Sequence, residues 1–224
     1  MGNGDYPAPR LLVAGEWRQA GTSSPVVNPA TGDVLGQVPH ATESDIDDAL
    51  AASEAGFATW RRMAPGERGA VLHTAARLLR DRRDRLAVLI CEEMGKPVRE
   101  AQAEIDTATG IIDWNAEEGR RTYGRLIPGP EQRQQLVIQE PVGPVAAFAP
   151  WNAPLITPSR KISSALAAGC SVVIKPAEET PATALFLAEA LVDAGLPAGV
   201  LNVLFGDPVQ ISGRLLTSPV TRAL

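Results

Sequence analysis

The side chains with the most chemical potential sit in three short segments: Pro150-Trp151-Asn152, Lys175-Pro176-Ala177-Glu178 and Gly206-Asp207-Pro208. Each closes an unalternated apolar run, namely Val145-Ala146-Ala147-Phe148-Ala149, Ser171-Val172-Val173-Ile174 and Val200-Leu201-Asn202-Val203-Leu204-Phe205. Such runs suit strands buried on both faces. Ligands of parallel α/β sheets sit outside the carboxyl ends of the strands, so the three segments mark a ligand site, with a cofactor as one candidate occupant. The dinucleotide fingerprint GxGxxG is absent. Spacing alone therefore leaves plainer roles open: a core Trp151, a turn-forming Asn152, a strand-end cation at Lys175. Cys91, Cys170, His40 and His73 form no CxxC or Cys/His cluster, which argues against a zinc site and a disulfide framework.

The elements that must position these segments follow from periodicity. Helix candidates at 154–168 and 181–194 separate the apolar runs, giving the strand-helix-strand-helix-strand order of a parallel, doubly wound sheet. Upstream, Leu11-Leu12-Val13 and Glu16-Trp17-Arg18 read as short strands around an Ala14-Gly15 turn, and residues 26–35 repeat the pattern. Thr42 with Asp45 resembles a capping box. Four apolar stripes follow: Ile46, Ala49, Leu50, Phe57, Trp60; Leu72, Ala75, Leu78, Leu79; Leu86, Leu89, Ile90, Met94; and Ala101, Ile105, Ala108, Ile112. Gly95 suits a helix C-cap and Pro97 a helix start. Arginines and carboxylates on the other faces of these helices read as solvated surface. Leu136-Val137-Ile138 reads as a short strand, and residues 220–224 as the start of another.

These elements divide the chain into a disordered lead-in over 1–10, a β-hairpin and helical region over 11–134, and the first part of an α/β domain over 135–224. With Lys and Arg at 21 against Asp and Glu at 26, net charge is −5. No basic face is available for nucleic acid. The uncharged stretch 141–159 contains five prolines, which break any spanning helix. A soluble, cytoplasmic protein without membrane contact is expected.

Several segments together make the chain similar to the N-terminal half of the NAD(P)-dependent aldehyde dehydrogenases. They are Asn28-Pro29-Ala30-Thr31-Gly32, Glu93-Met94-Gly95-Lys96-Pro97, Glu140-Pro141-Val142-Gly143-Pro144-Val145, Pro150-Trp151-Asn152-Ala153-Pro154, Lys175-Pro176-Ala177-Glu178-Glu179-Thr180-Pro181, and Gly195-Leu196-Pro197-Ala198-Gly199-Val200. The resemblance implies a Rossmann-like cofactor domain, a strand arm that makes homo-oligomers in the full-length form, and NAD-dependent oxidation of an aldehyde to a carboxylic acid. Asn152 would donate its amide N–H to the oxyanion of the covalent intermediate, a task suited to a donor that does not titrate. Lys175 and Glu178 would meet the adenosine ribose, with Pro150, Trp151 and Ala177 lining the cofactor cleft. A carboxylate at 178 repels a 2′-phosphate, so NAD is favoured over NADP. Arg160, eight residues after Asn152, matches the arginine of succinate-semialdehyde dehydrogenase-like members and would recognise a carboxylate on the substrate. Ala153 stands where the family usually has Phe.

The same resemblance puts the nucleophilic cysteine, the general-base glutamate and the pyrophosphate loop beyond Leu224. A truncated chain, inactive by itself, is therefore expected. The alternative is a short non-catalytic nucleotide-binding or interaction protein derived from that family.

Overall fold

The computed structural model describes residues 6–130 and 133–224. Two hairpins open the chain. In the first, β1 (Leu11–Val13) pairs with β2 (Glu16–Arg18). Ala14 and Gly15 turn it with φ of 55° and 83°, the two left-handed residues of a type I′ turn. A Cβ on Gly15 would stand 2.7 Å from the Cβ of Ala198, so glycine also permits that close approach. In the second, β3 (Ser23–Val27) pairs with β4 (Val34–Pro39) as a separate ribbon.

Four helices follow: α1 (Glu43–Trp60), α2 (Pro65–Asp81), α3 (Arg83–Met94) and α4 (Val98–Gly119). The Thr42–Asp45 capping box forms as expected, and Gly95 closes α3 in the left-handed region. Each apolar stripe faces the common core, although Phe57, Leu78 and Met94 are only partly buried. Trp60 is fully buried, and its indole N–H donates to the carbonyl of Leu166 at 2.8 Å.

A two-stranded ribbon comes next, β5 (Arg125–Pro128) with β6 (Gln134–Val137). It carries Leu126 and Leu136 at 63% and 71% exposure. The α/β part then runs β7 (Val145–Phe148), α5 (Ile156–Ala168), β8 (Val172–Lys175), α6 (Pro181–Asp193), β9 (Leu201–Val203) and α7 (Pro208–Thr217). The main sheet has the order β2-β1-β9-β8-β7. Strands β7, β8 and β9 are parallel, and β1 joins β9 antiparallel through Leu12 and Val203. Asn202 fixes this junction by accepting from the Ala14 N–H at 2.9 Å and donating to the Gly199 carbonyl at 2.9 Å.

Three expectations need correction, and two elements were not expected at all. The sheet and its core cross the boundary placed at residue 134, because the N-terminal hairpin supplies two of the five strands. Of the expected disordered lead-in, residues 1–5 lie outside the described residues. Tyr6 is anchored, its hydroxyl donating to Glu93 at 2.6 Å. Strand β5 and helix α7 were not anticipated. Finally, Arg68, Glu93 and Glu104 are buried rather than solvated. The strand expected over 220–224 begins as a parallel bridge between Val145 and Ala223.

Candidate functional site at the carboxyl edge of the sheet

Register places the three strand ends side by side. Phe148 is level with Lys175 and Ile174 with Val203. Beyond the paired residues, the Ala149 N–H donates to the Lys175 carbonyl at 3.1 Å and the Leu204 N–H to the Ile174 carbonyl at 2.9 Å.

At the tip of β8, the buried Lys175 ammonium donates to both oxygens of Glu178, at 2.6 and 2.7 Å, and to the Pro176 carbonyl at 3.2 Å. Glu178 also accepts from the Gly206 N–H at 2.9 Å, which ties the tip of β8 to that of β9. Gly206 has φ 127° and lies against His40 and Ala41, where a Cβ would come within 3.1 Å of the Ala41 nitrogen. Glu178 remains partly exposed, so its carboxylate keeps lone pairs for an incoming hydroxyl. Ala177 is buried between the two.

Pro150, Trp151 and Asn152 follow β7 on the same edge and are exposed, Trp151 by 51%. Trp151 is therefore not part of the core of the described residues. Asn152 makes no hydrogen bond to another described residue and does not touch the Lys175–Glu178 network through one. Arg160 lies on α5, exposed, with no ion-pair partner among the described residues. The structure thus joins Lys175 and Glu178 directly, sets Pro150, Trp151 and Asn152 at the adjoining tip, and puts Arg160 on the helix that follows.

Helix N-termini are ready anion sites, and three helices start near this edge. All three are already occupied by carboxylates. Asp207 caps α7 by accepting from the Val209 and Gln210 N–H groups at 2.7 and 3.0 Å, and these donors hold its carboxyl below the usual range. Glu104, from α4, accepts from the Leu155 and Ile156 N–H groups at the start of α5, at 2.9 and 3.2 Å. Glu93, from α3, accepts at the start of α6 from the Ala182 and Thr183 N–H groups and the Thr183 hydroxyl, at 2.7, 2.9 and 2.6 Å. Burial nevertheless pushes Glu93 up to about 7, against the lowering effect of these donors. No vacant helix terminus awaits a phosphate among the described residues at this edge. The polar groups available there suit hydroxyls and a polarised oxygen instead.

Glu93, Glu104 and their partners Tyr6 and Lys96 were missed by sequence reasoning. A signal existed: Glu104 falls on the stripe of Ala101, Ile105 and Ala108, and Glu93 three residues after Ile90. A carboxylate on an apolar stripe demands a buried partner. Neither cysteine belongs to the site. Cys170 is buried before β8, at the sheet's opposite edge. Cys91 lies in α3, and burial pushes its thiol up, away from the reactive thiolate.

The model of the aldehyde dehydrogenase family matches residues 17–224. A succinate-semialdehyde dehydrogenase [NADP(+)] of Escherichia coli is 43% identical over 218 residues, covering 96% of this chain and 45% of the relative. A 4-(hydroxymethyl)benzenesulfonate dehydrogenase of Comamonas testosteroni is 43% identical over 221 residues, with 97% and 46% covered. The crystal structure of a succinate-semialdehyde dehydrogenase from Burkholderia pseudomallei superposes with a TM-score of 0.93 at 40% identity, again covering 96% of this chain and 45% of that one. The chain therefore spans about half the length of the curated relatives it matches.

Proposed function

Because the chain belongs to the aldehyde dehydrogenase family, we propose that it forms the cofactor-facing wall of an NAD-dependent enzyme that oxidises a carboxylate-bearing semialdehyde to the acid. The observation that carries this reading is the Lys175–Glu178–Gly206 network beside an exposed amide at Asn152 that has no partner among the described residues. A ribose presents vicinal hydroxyls, each both donor and acceptor. Glu178 accepts from them, and the Lys175 ammonium donates in exchange for one of its internal contacts. The chemistry that NAD held by these residues would supply is a hydride acceptor. Trp151 and Pro150 supply apolar surface at the mouth of that cleft.

Asn152 acts on the substrate. Its N–H groups have no partner among the described residues to compete for them, so they are available to an aldehyde oxygen as negative charge grows on it. Arg160 offers a planar guanidinium for bidentate recognition of the distal carboxylate. The exposed apolar residues of β5 and β6 support contact with a second copy of the chain, as the homo-oligomer reading requires. Among the described residues no helix is long and apolar enough to cross a membrane.

Cofactor choice tests the reading at Glu178. The E. coli relative is named for NADP; on the proposed reading the Glu178 carboxylate meets the ribose and would repel a 2′-phosphate there. Charges a few ångströms apart interact by ~1–4 kcal/mol between water and a protein surface. Glu178→Ser should therefore raise the NADP-to-NAD ratio of kcat/KM by about tenfold or more. The measurement is steady-state kinetics on a polypeptide carrying these residues together with the remaining family length. An unchanged ratio removes Glu178 from the ribose site.

A further inference from the structure

Of the three carboxylates at helix starts, Glu104 stands closest in sequence contacts to the substrate-facing residues. It reaches from α4 to a helix whose own first residues cannot cap it. The N-cap of α5 is Leu155, with no side-chain hydrogen bond, and leucine is among the poorest N-caps. Glu104 substitutes for that cap: one oxygen takes the Leu155 and Ile156 N–H groups, and the other takes the Lys96 ammonium. Glu104 as a whole is only 4% exposed. Burying a charge is costly even when it is paired, and a Ser or Asp at position 155 would close the helix without that cost. What a local cap would not do is fix the helix start to another part of the protein.

That fixed point lies between the two residues that face substrate. The segment 149–155 is tied at one end by the Ala149 N–H to the Lys175 carbonyl and at the other by Leu155 to Glu104. Asn152 sits midway. Arg160 follows Ile156 by about one helical turn, and the Asn115 side chain, also from α4, donates to Ser163 at 2.7 Å to hold the next turn. We propose that Glu104 is a positioning residue that sets the placement of Asn152 and Arg160 against the sheet edge. This inference rests on the aldehyde-oxidation reading above.

The test compares Glu104→Ala, Glu104→Asp and Glu104→Gln in the active polypeptide, with rates expressed per titrated active site. Glu104→Asp keeps the charge, falls one methylene short of the two amides, and serves if the alanine variant does not fold. Misplacement of about 1 Å costs on the order of 10²-fold in rate. Glu104→Ala and Glu104→Asp should each lower kcat by about ten- to hundredfold for a semialdehyde and for a neutral aldehyde of equal length, and raise KM for the semialdehyde alone. Glu104→Gln retains a carbonyl acceptor for both amides but turns its NH2 toward the Lys96 ammonium, so it should recover part of kcat and exceed Glu104→Ala. A lower unfolding temperature with unchanged kcat and KM per active site would overturn the proposal. Asn152→Ala and Arg160→Ala serve as controls: if they too leave the kinetics unchanged, the aldehyde reading fails, whereas effects there without effects at Glu104 defeat only the positioning role.

Discussion

Asn152→Ala lowers kcat for aldehyde oxidation by about 10²–10³ and leaves the unfolding temperature where it was. The rate loss is the usual cost of removing one preorganised donor to a developing oxyanion. Unchanged stability follows from the structure, since Asn152 is exposed and its side chain makes no hydrogen bond to another described residue. That combination separates chemistry from folding, because a turn asparagine would show the reverse pattern. Asn152→Asp should be at least as damaging, since a carboxylate accepts where a donor is needed and repels the growing charge. Steady-state kinetics alongside thermal unfolding reads both quantities. Wild-type kcat in Asn152→Ala would remove the amide from the reaction.

Arg160→Ala raises KM for a carboxylate-bearing semialdehyde by roughly 10- to 100-fold and changes KM for a neutral aldehyde of equal length by less than about threefold. Hydrogen bonds to charged groups contribute ~1.5–3 kcal/mol, and every 1.4 kcal/mol is tenfold in affinity. Because Arg160 has no ion-pair partner among the described residues, its removal leaves no orphaned carboxylate behind. Its effect should therefore be confined to the substrate. Arg160→Lys should recover part of the loss, because an ammonium supplies the charge without the bidentate fork. Equal changes for both aldehydes would place Arg160 outside the substrate site.

Much of the scaffold was legible in the residues themselves. Strands β7, β8 and β9 follow from unalternated apolar runs, and α1 from its Thr42–Asp45 box and stripe. In these places local pattern and tertiary burial agree. Strand β5 carries no such pattern: all four residues are exposed, and only pairing with β6 makes it a strand. Helix α7 was hidden because Gly206-Asp207-Pro208 reads equally well as a turn. Asp207 caps the helix and Pro208 occupies its first turn, a start that proline's fixed φ favours. The seat of β1 beside β9 joins residues nearly two hundred positions apart, and no local signal encodes that pairing.

The site divides in the same way. Resemblance singled out Asn152, Lys175, Glu178 and Arg160; the sheet's register sets the strand ends that carry the first three side by side, and Arg160 lies on α5. Glu93 and Glu104 escaped because their meaning lies in distant donors, the amides of Ala182 and Thr183 for one and of Leu155 and Ile156 for the other. A sequence shows a glutamate on an apolar stripe without showing which helix start it closes.

The central claim is that Asn152, Lys175 and Glu178 line one cofactor pocket, and a crystal structure with NAD bound to the active polypeptide tests it most directly. The expected result places the adenosine ribose hydroxyls about 2.6–3.2 Å from the Lys175 ammonium and the Glu178 carboxylate, with the nicotinamide on the Asn152 side. A cofactor seated elsewhere, with the three side chains lining separate cavities, would contradict it.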